Sequence, residues 1–188
     1  MKIEHSTPAS TSELGSEEKR ALAVRSMMIM VDGDRSVFEE VVSADAVNHE
    51  AKDEPPAARA PGPEGFFATA LWLREAFADL RFEVRHVVEE DGLVVVDSVM
   101  SARHEGPFVT YDEYGRVDQV FAPTGKRFSV RQTHWLRVAD GKVVEHWAVR
   151  DDLGMAKQAG WVPPNPISLT RNVLAARKLR KQIRAGRS

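Results

Sequence analysis

The spacing of apolar residues changes once along the chain, near Leu80. Before this point three segments carry apolar residues at helical spacing, and the third, 63–79, has the broadest apolar face. Beyond it apolar and polar residues alternate over 81–88, and 93–104 begins with apolar residues on both faces. Helices followed by consecutive strands predict an α+β domain, with three helices on one face of a curved antiparallel sheet.

Local signals indicate where the domain begins. Ser16 is predicted to cap the first helix because two glutamates follow it, and Asp34 is predicted to cap a short second helix. Residues 1–15 are small, polar and aperiodic, which predicts a disordered arm. We therefore expect the compact domain to span 16–161.

The composition changes after this domain. A proline-rich linker, 162–166, precedes a predicted helix over 168–184, and 162–188 holds seven Arg or Lys residues and no acid. A basic helix is one way to contact nucleic acid or anionic lipid, but no aromatic residues are interleaved here for base stacking. We therefore expect this helix to pack on the acidic body of the protein or on a second subunit, with no nucleic-acid partner.

The overall composition excludes several kinds of chemistry. Hydrophobic residues make up 43% of the chain and charged residues 29%, as in globular proteins. There is no cysteine, which excludes disulfides, cysteine-bound zinc and thiol catalysis and makes a reducing, cytoplasmic location the expectation. No apolar run approaches the roughly 18 residues of a membrane helix, so no membrane partner is expected. The sequence also lacks a phosphate-binding glycine loop and a serine-nucleophile elbow.

The segment 126–161 has the clearest local pattern. Two strand-forming runs flank Ala139-Asp140-Gly141, which predicts a β-hairpin. Asp151 then stands where it can cap a short helix, and Gly160 stands where that helix should end.

Two turns fit this hairpin, and they give His134 different partners. If Ala139-Asp140-Gly141 is a three-residue loop, His134 opposes His146 and Gln132 opposes Ala148, all on one face of the sheet. If Asp140-Gly141 is a two-residue turn, His134 opposes Trp147 instead.

Polar side chains that suit acid–base chemistry or ligand binding gather in the predicted sheet. Five of the six histidines fall in the body of the chain, beside Asn48 and Gln132: His49, His86, His104, His134 and His146. No pair of them has tight ligand spacing, so no metal is expected. Trp72 lies beside the apolar face of the third helix and is a candidate for the core or for the wall of a pocket.

Several motifs are shared with a known family. They are Val47-Asn48-His49, the stretches 77–84, 104–108 and 122–126, and, most specific, Asp140-Gly-Lys-Val-Val-Glu-His-Trp147 with Arg150-Asp-Asp-Leu-Gly154. On these motifs, 16–161 resembles the SnoaL-like polyketide cyclases and ester cyclases of the nuclear transport factor two superfamily. The resemblance implies a cone-shaped α+β barrel, an apolar cavity closed by three helices, and a homodimer. It also implies ring closure of a polyketide ester by an intramolecular aldol step, without a cofactor.

The family pattern also implies a catalytic aspartate on the last strand, where this chain has Ala148. We therefore expect His134 and His146 to be catalytic, because their pKa values lie near working pH, with Asp151 as a further candidate. The family pattern also favours the three-residue loop, which we adopt. The expected substrate-binding residues are Asn48, His49, Trp72, His104 and Gln132.

The expected function is that of a cyclase-like lyase or isomerase of secondary metabolism, acting on a small, largely apolar ligand. One alternative is a ligand-binding or scaffold protein without catalysis, which Ala148 favours, and another is a cofactor-free hydroxylase-like protein. In the adopted register Trp135, Trp147, Val143 and Val149 lie on the outer face of the sheet. A homodimer through the sheet would cover this apolar patch.

Overall fold

The computed structural model describes residues 14–185, so almost all of the predicted arm over 1–15 and the last three residues lie outside the described part of the chain. The helices are α1 (Ser16–Asp32), α2 (Arg35–Val41), α3 (Pro63–Ala76), α4 (Asp152–Gln158) and α5 (Pro166–Ala185). The strands are β1 (Val42–Asn48), β2 (Phe77–Glu90), β3 (Leu93–His104), β4 (Phe108–Tyr111), β5 (Val117–Phe121), β6 (Arg127–Ala139) and β7 (Lys142–Arg150). Two 3₁₀ turns, Ala51–Asp53 and Pro56–Arg59, lie between β1 and α3.

Five strands form one curved sheet in the order β1-β7-β6-β3-β2, and β4 pairs with β5 in a separate ribbon. The pairs β2–β3, β3–β6 and β6–β7 are antiparallel, whereas β1 runs parallel to β7. The predicted α+β class with a mostly antiparallel sheet is confirmed. Strand β1 was not predicted, because its pairing partner lies about a hundred residues away in sequence and its own apolar pattern is short.

The helices pack on the inner face of the sheet. Side chains of β3 alternate in burial, so every second residue points toward the helices. These inner residues of β3 are all buried: Val94, Val96, Ser98, Met100, Ala102 and His104. From α1, Ala23, Met27 and Ile29 join the same apolar core as Val94 and Val96. The core therefore lies between α1, α3 and the sheet.

The β6–β7 hairpin turns at Asp140 and Gly141, which have φ angles of 49° and 73°. Positive φ at both central residues is typical of a two-residue type I′ turn, and Ala139 accordingly pairs with Lys142. The three-residue loop that we expected is wrong. Asp140 tolerates the left-handed conformation, so the two-residue turn is available.

A β-bulge follows the turn. Val138 pairs with Val143, but Arg137 pairs with Glu145, so Val144 is an extra residue in β7. Beyond this point the register is shifted by one residue. A shift of one residue moves every later side chain of β7 to the opposite face.

Because of the bulge, neither of the two predicted pairings of His134 is found. His134 lies opposite Ala148, and neither His146 nor Trp147 is its direct partner. Because of the extra residue, His146 lies on the same inner face as His134, as a diagonal neighbour. The predicted position of Val143 on the outer face is also wrong, because Val143 is fully buried in the core.

Two helix ends differ from the predictions. Helix α3 ends at Ala76 and not near 79, because Phe77 has an extended conformation and pairs with His104 in the sheet. Helix α1 is capped one residue earlier than predicted, at Gly15, whose backbone N–H donates to the Glu18 carboxylate at 2.8 Å.

The basic C-terminal helix contacts the body of its own chain. Helix α5 packs near the end of β5, where Asn172 Oδ1 accepts from the Ala122 backbone N–H at 2.8 Å. Arg171 donates to the Pro123 carbonyl oxygen at the same place. Among the described residues no helix is both long enough and apolar enough to cross a membrane.

Candidate active site

A cavity of about 280 Å³ lies between the inner face of the sheet and helices α1 and α3. Ligand pockets commonly measure about 300–1,000 Å³, so this cavity suits a small ligand. Most of its wall is apolar or aromatic, and includes Met27, Phe66, Trp72, Phe82, Met100, Phe108 and Trp161. Its polar side chains include Asn48, Glu50, Glu54, Thr69, Gln132, His134, His146 and Arg150.

A continuous series of close polar contacts joins four of these polar side chains. Asn48 Oδ1 lies 2.9 Å from His146 Nδ1, and His146 Nε2 lies 3.0 Å from His134 Nδ1. His134 Nε2 lies 3.0 Å from Gln132 Oε1. The two imidazole rings are stacked, with centroids 5.3 Å apart. Every ring nitrogen of the pair therefore has a partner within the protein.

Strand geometry places these four side chains together. Gln132 and His134 are two residues apart on β6, so they share the inner face. His146 shares that face because of the bulge in β7. Asn48 ends β1 and is the partner of His146 in the parallel β1–β7 pair.

A backbone hydrogen bond to Asn48 determines which ring nitrogens of His146 and His134 donate and which accept. The Glu50 backbone N–H donates to Asn48 Oδ1 at 3.2 Å, so that oxygen also faces His146, and His146 Nδ1 carries the hydrogen. If His146 is neutral, its Nε2 accepts from His134 Nδ1. His134 Nε2 is then an acceptor that faces Gln132 Oε1. This contact becomes a hydrogen bond when the ring pair gains a proton or the Gln132 amide rotates.

The histidine pair is held neutral. Burial, and to a smaller extent the charge of Arg150, lower the pKa of His134 to about 4. Burial also lowers the pKa of His146 well below its usual range, followed by the effects of His134, Arg150 and His49. Each residue keeps some accessible surface and lines the cavity. Both rings are therefore uncharged at pH 7.

Glu54 is a buried carboxyl on the cavity wall that sequence analysis did not identify. It is 3% exposed, and the Thr69 hydroxyl donates to its carboxylate. Burial raises the pKa of Glu54 to about 7, although the hydrogen bond from Thr69 and the charge of Arg150 lower it. In the sequence it precedes Pro55-Pro56, a setting typical of a surface loop, so nothing local indicates its burial.

Glu50 and Arg150 form an ion pair on the same wall. Arg150 Nη2 lies 3.3 Å from Glu50 Oε2, and Glu50 Oε1 accepts from the Ala148 backbone N–H at 3.1 Å. Asp152 Oδ1 lies 3.6 Å from Arg150 Nε. Both carboxylate oxygens of Glu50 are thus in use, next to the position where the family pattern has an aspartate.

Three of the expected site residues do not line the cavity. His49 is half exposed, and its Nε2 lies 3.7 Å from Glu145 Oε2. His104 is fully buried beside Trp161, whose indole N–H donates to His104 Nδ1 at 3.2 Å, and burial lowers the pKa of His104 to about 4. Asp151 is exposed and caps α4. Of the expected site residues, the cavity brings together Asn48, Trp72, Gln132, His134 and His146.

Fold and site together define a class of protein: a small α+β domain whose curved sheet encloses an apolar cavity with acid–base side chains. Comparison with known proteins identifies the family. The family model for SnoaL-like polyketide cyclase matches residues 22–159, so the chain belongs to the SnoaL-like polyketide cyclases.

Characterised relatives in this family are ester cyclases. The chain is 32% identical over 128 residues to the aklanonic acid methyl ester cyclase DnrD of Streptomyces peucetius, covering 68% of this chain and 80% of the relative. It is 31% identical over 100 residues to the nogalonic acid methyl ester cyclase of Streptomyces nogalater, covering 53% and 67%.

Solved structures share the fold. TsrD from Streptomyces laurentii superposes with a TM-score of 0.63 at 23% identity, over 79% of this chain and 98% of that chain. AclR from Streptomyces galilaeus, a proposed hydroxylase, superposes with a TM-score of 0.60 at 26% identity, over 79% and 100%.

Proposed function

We propose that this protein is a cofactor-independent cyclase that closes a ring in a small, largely apolar polyketide ester by acid–base chemistry. The observation that carries the proposal is the apolar cavity with its hydrogen-bonded imidazole pair, His134 and His146. The relatives are cyclases of the methyl esters of aklanonic and nogalonic acid, which supports an ester as substrate and a place in secondary metabolism.

Ring closure by an aldol step needs one proton removed and one delivered. A base takes the hydrogen from the carbon beside the ester carbonyl, and the enolate forms a C–C bond with a ketone carbon of the same molecule. The ketone oxygen becomes an alkoxide and receives a proton. Atoms and electrons balance without an added oxidant or reductant.

We assign relay of this proton to the His134–His146 pair, in which His134 Nε2 accepts the proton released by the base and passes it to the alkoxide. Asn48 orients His146, and Gln132 covers His134 Nε2 until substrate displaces it, since its amide otherwise reaches only the Met100 sulfur at 3.2 Å. Trp72 forms part of the wall against which a flat substrate packs. Asp151, His49 and His104 take no part in this proposal, because none of them lines the cavity.

Two other functions have some support. Ala148 removes the carboxylate that the family pattern implies, which favours a binding protein without catalysis. The structural likeness to AclR favours a hydroxylase-like reaction.

One experiment separates the three functions. The purified protein is incubated with the methyl esters of aklanonic and nogalonic acid, in air and under nitrogen, and the products are weighed by mass spectrometry. A cyclase yields an isomer of unchanged mass in both atmospheres, whereas a hydroxylase adds oxygen only in air. An ester that quenches the fluorescence of Trp72 and Trp161 but is never consumed would overturn the cyclase proposal.

We further propose a homodimer through the outer face of the sheet, in the cytoplasm. Trp135 and Trp147 stack on this face with ring centroids 6.3 Å apart, and Val149 is 68% exposed. A monomer would leave this apolar patch in water. Light scattering should report twice the chain mass of 21.0 kDa, and Trp147→Lys should halve it. A wild-type monomer at micromolar concentration would contradict the dimer. A cytoplasmic location agrees with a sequence that has no cysteine.

A further inference from the structure

Glu54 is a buried carboxyl whose position lowers the stability of the fold. Within the part of the chain that the structure describes, the Thr69 hydroxyl is the only group that hydrogen-bonds to it. The residue follows the 3₁₀ turn Ala51–Asp53, lines the cavity and is 3% exposed. A buried carboxylate without a dedicated counter-ion is costly, and in a cavity it indicates a role in chemistry.

Thr69 can satisfy both protonation states of Glu54. Its Oγ1 also lies 3.2 Å from the Gly65 carbonyl oxygen, one turn earlier in α3. When Glu54 is ionised, the Thr69 hydroxyl donates to the carboxylate. When Glu54 is protonated, its own O–H donates to Thr69 Oγ1, and the Thr69 hydrogen turns to Gly65. The Thr69 hydroxyl therefore keeps a hydrogen bond to Glu54 in both protonation states.

The charged groups that face Glu54 have opposing effects on its pKa. Arg150 on β7 favours the ionised form, whereas Glu50 and Asp53, on the segment after β1, favour the protonated form. Arg150 is itself paired with Glu50 at 3.3 Å and with Asp152 at 3.6 Å, so its positive charge is shared among three carboxylates. Burial dominates these effects and brings the pKa of Glu54 to about 7.

The other titratable groups on the cavity wall are less able to take a proton from a ligand. Both oxygens of Glu50 are engaged, and His134 Nε2, the ring nitrogen of the pair that carries no hydrogen, is covered by Gln132 at 3.0 Å and belongs to a ring whose pKa is lowered to about 4. Asp53 and Asp152 are exposed to solvent, so water competes with a ligand for their carboxylates. Only one oxygen of Glu54, by contrast, accepts the hydrogen bond from Thr69.

We infer that Glu54 is the general base that takes the substrate proton, in the role for which the last strand has no carboxylate at Ala148. The inference rests on the proposed cyclase function and adds the group that starts the reaction. The Glu54 carboxylate binds the hydrogen of the carbon beside the ester carbonyl, and the C–H electron pair becomes the enolate. After the C–C bond forms, the proton held by Glu54 moves to His134 Nε2, the ring nitrogen that carries no hydrogen, and from there to the alkoxide. Glu54 is then ionised and the histidine pair is neutral, as at the start, so the protons balance over the cycle.

Glu54→Gln tests this role, because glutamine keeps the shape and can accept from Thr69 but cannot take a proton. We expect kcat to fall by about 100-fold or more, the usual contribution of a general base, with ligand affinity within about twofold. Glu90→Gln, at the exposed end of β2, is the matched control and should leave both unchanged. A Glu54→Gln variant that keeps kcat within about fivefold of wild type would overturn the inference.

Thr69→Val provides a pH readout that a structural role would not produce. The Thr69 hydrogen bond lowers the pKa of Glu54, so its removal should raise that pKa. If activity needs ionised Glu54, it rises with pH. The acid limb of the pH–activity profile should therefore move to higher pH in Thr69→Val. An unmoved acid limb would count against Glu54 as the base.

Deuterium exchange separates failure of the base from failure of the cyclase function. The probe is a simple β-keto ester that has no further ketone for the enolate to attack. It can lose its acidic hydrogen but cannot close a ring, and exchange is followed by NMR in D₂O. Exchange by wild type that is lost in Glu54→Gln supports the base even if no ester is cyclised. Cyclisation that persists in Glu54→Gln refutes the base and leaves the cyclase function standing. A wild-type protein that neither exchanges nor cyclises refutes both.

Discussion

Replacing Glu54 with glutamine should stabilise the folded protein at alkaline pH and have little effect at acidic pH. The pKa of Glu54 is raised from 4.5 to about 7 in the folded protein. The folded state therefore binds this proton more tightly than the unfolded state does. The resulting stabilisation is fully present below about pH 4.5 and is lost as the pH rises through about 7.

The size of the effect follows from the two pKa values. A rise from 4.5 to about 7 corresponds to about 3 kcal/mol, at about 1.4 kcal/mol per pH unit. At 3% exposure the side chain has little solvent to screen this cost. Glutamine is neutral at every pH and therefore does not carry the free-energy cost of a buried carboxylate. The unfolding free energy of Glu54→Gln, relative to wild type, should therefore grow by about 3 kcal/mol between about pH 4.5 and 8.5.

Urea unfolding followed by tryptophan fluorescence measures this difference at each pH. The contributions of the histidines cancel, because both proteins contain them. Glu90→Gln should track wild type across the whole range. A Glu54→Gln difference that stays constant within about 0.5 kcal/mol would show that Glu54 does not ionise in a buried site, and the reasoning would fail.

Three further predictions concern the histidines and Ala148. His134→Ala and His146→Ala should each lower kcat by at least about 10-fold with unchanged circular dichroism, and wild-type turnover in both would rule out the pair. Ala148→Asp puts a carboxylate directly across from His134 and should raise its pKa from about 4, as NMR titration can check; an unmoved or lower value contradicts the placement. His104→Ala should lower unfolding free energy by about 2–4 kcal/mol in urea while ligand binding persists; lost binding would move His104 into the site.

Some features of this protein follow from the sequence alone, because their causes are local. The change from helical to alternating spacing near Leu80 predicts helices before a sheet, since each period places apolar residues on one face. Gln132 and His134 share a face because they are two residues apart on one strand. Asp151 caps α4 because a carboxylate at that position can accept from a backbone N–H in the first helical turn.

The composition of the site was decided by tertiary structure. The extra residue at Val144 brings His146 to the face of His134, and a bulge depends on how both strands pack and not on the turn alone. Asn48 meets His146 only because β1 joins β7 from a distant part of the chain. Nothing in the local sequence distinguishes Glu54 from other glutamates. Its raised pKa arises from desolvation by residues that are far apart in sequence. Burial of this kind exists only once helix, turn and sheet are assembled around the cavity.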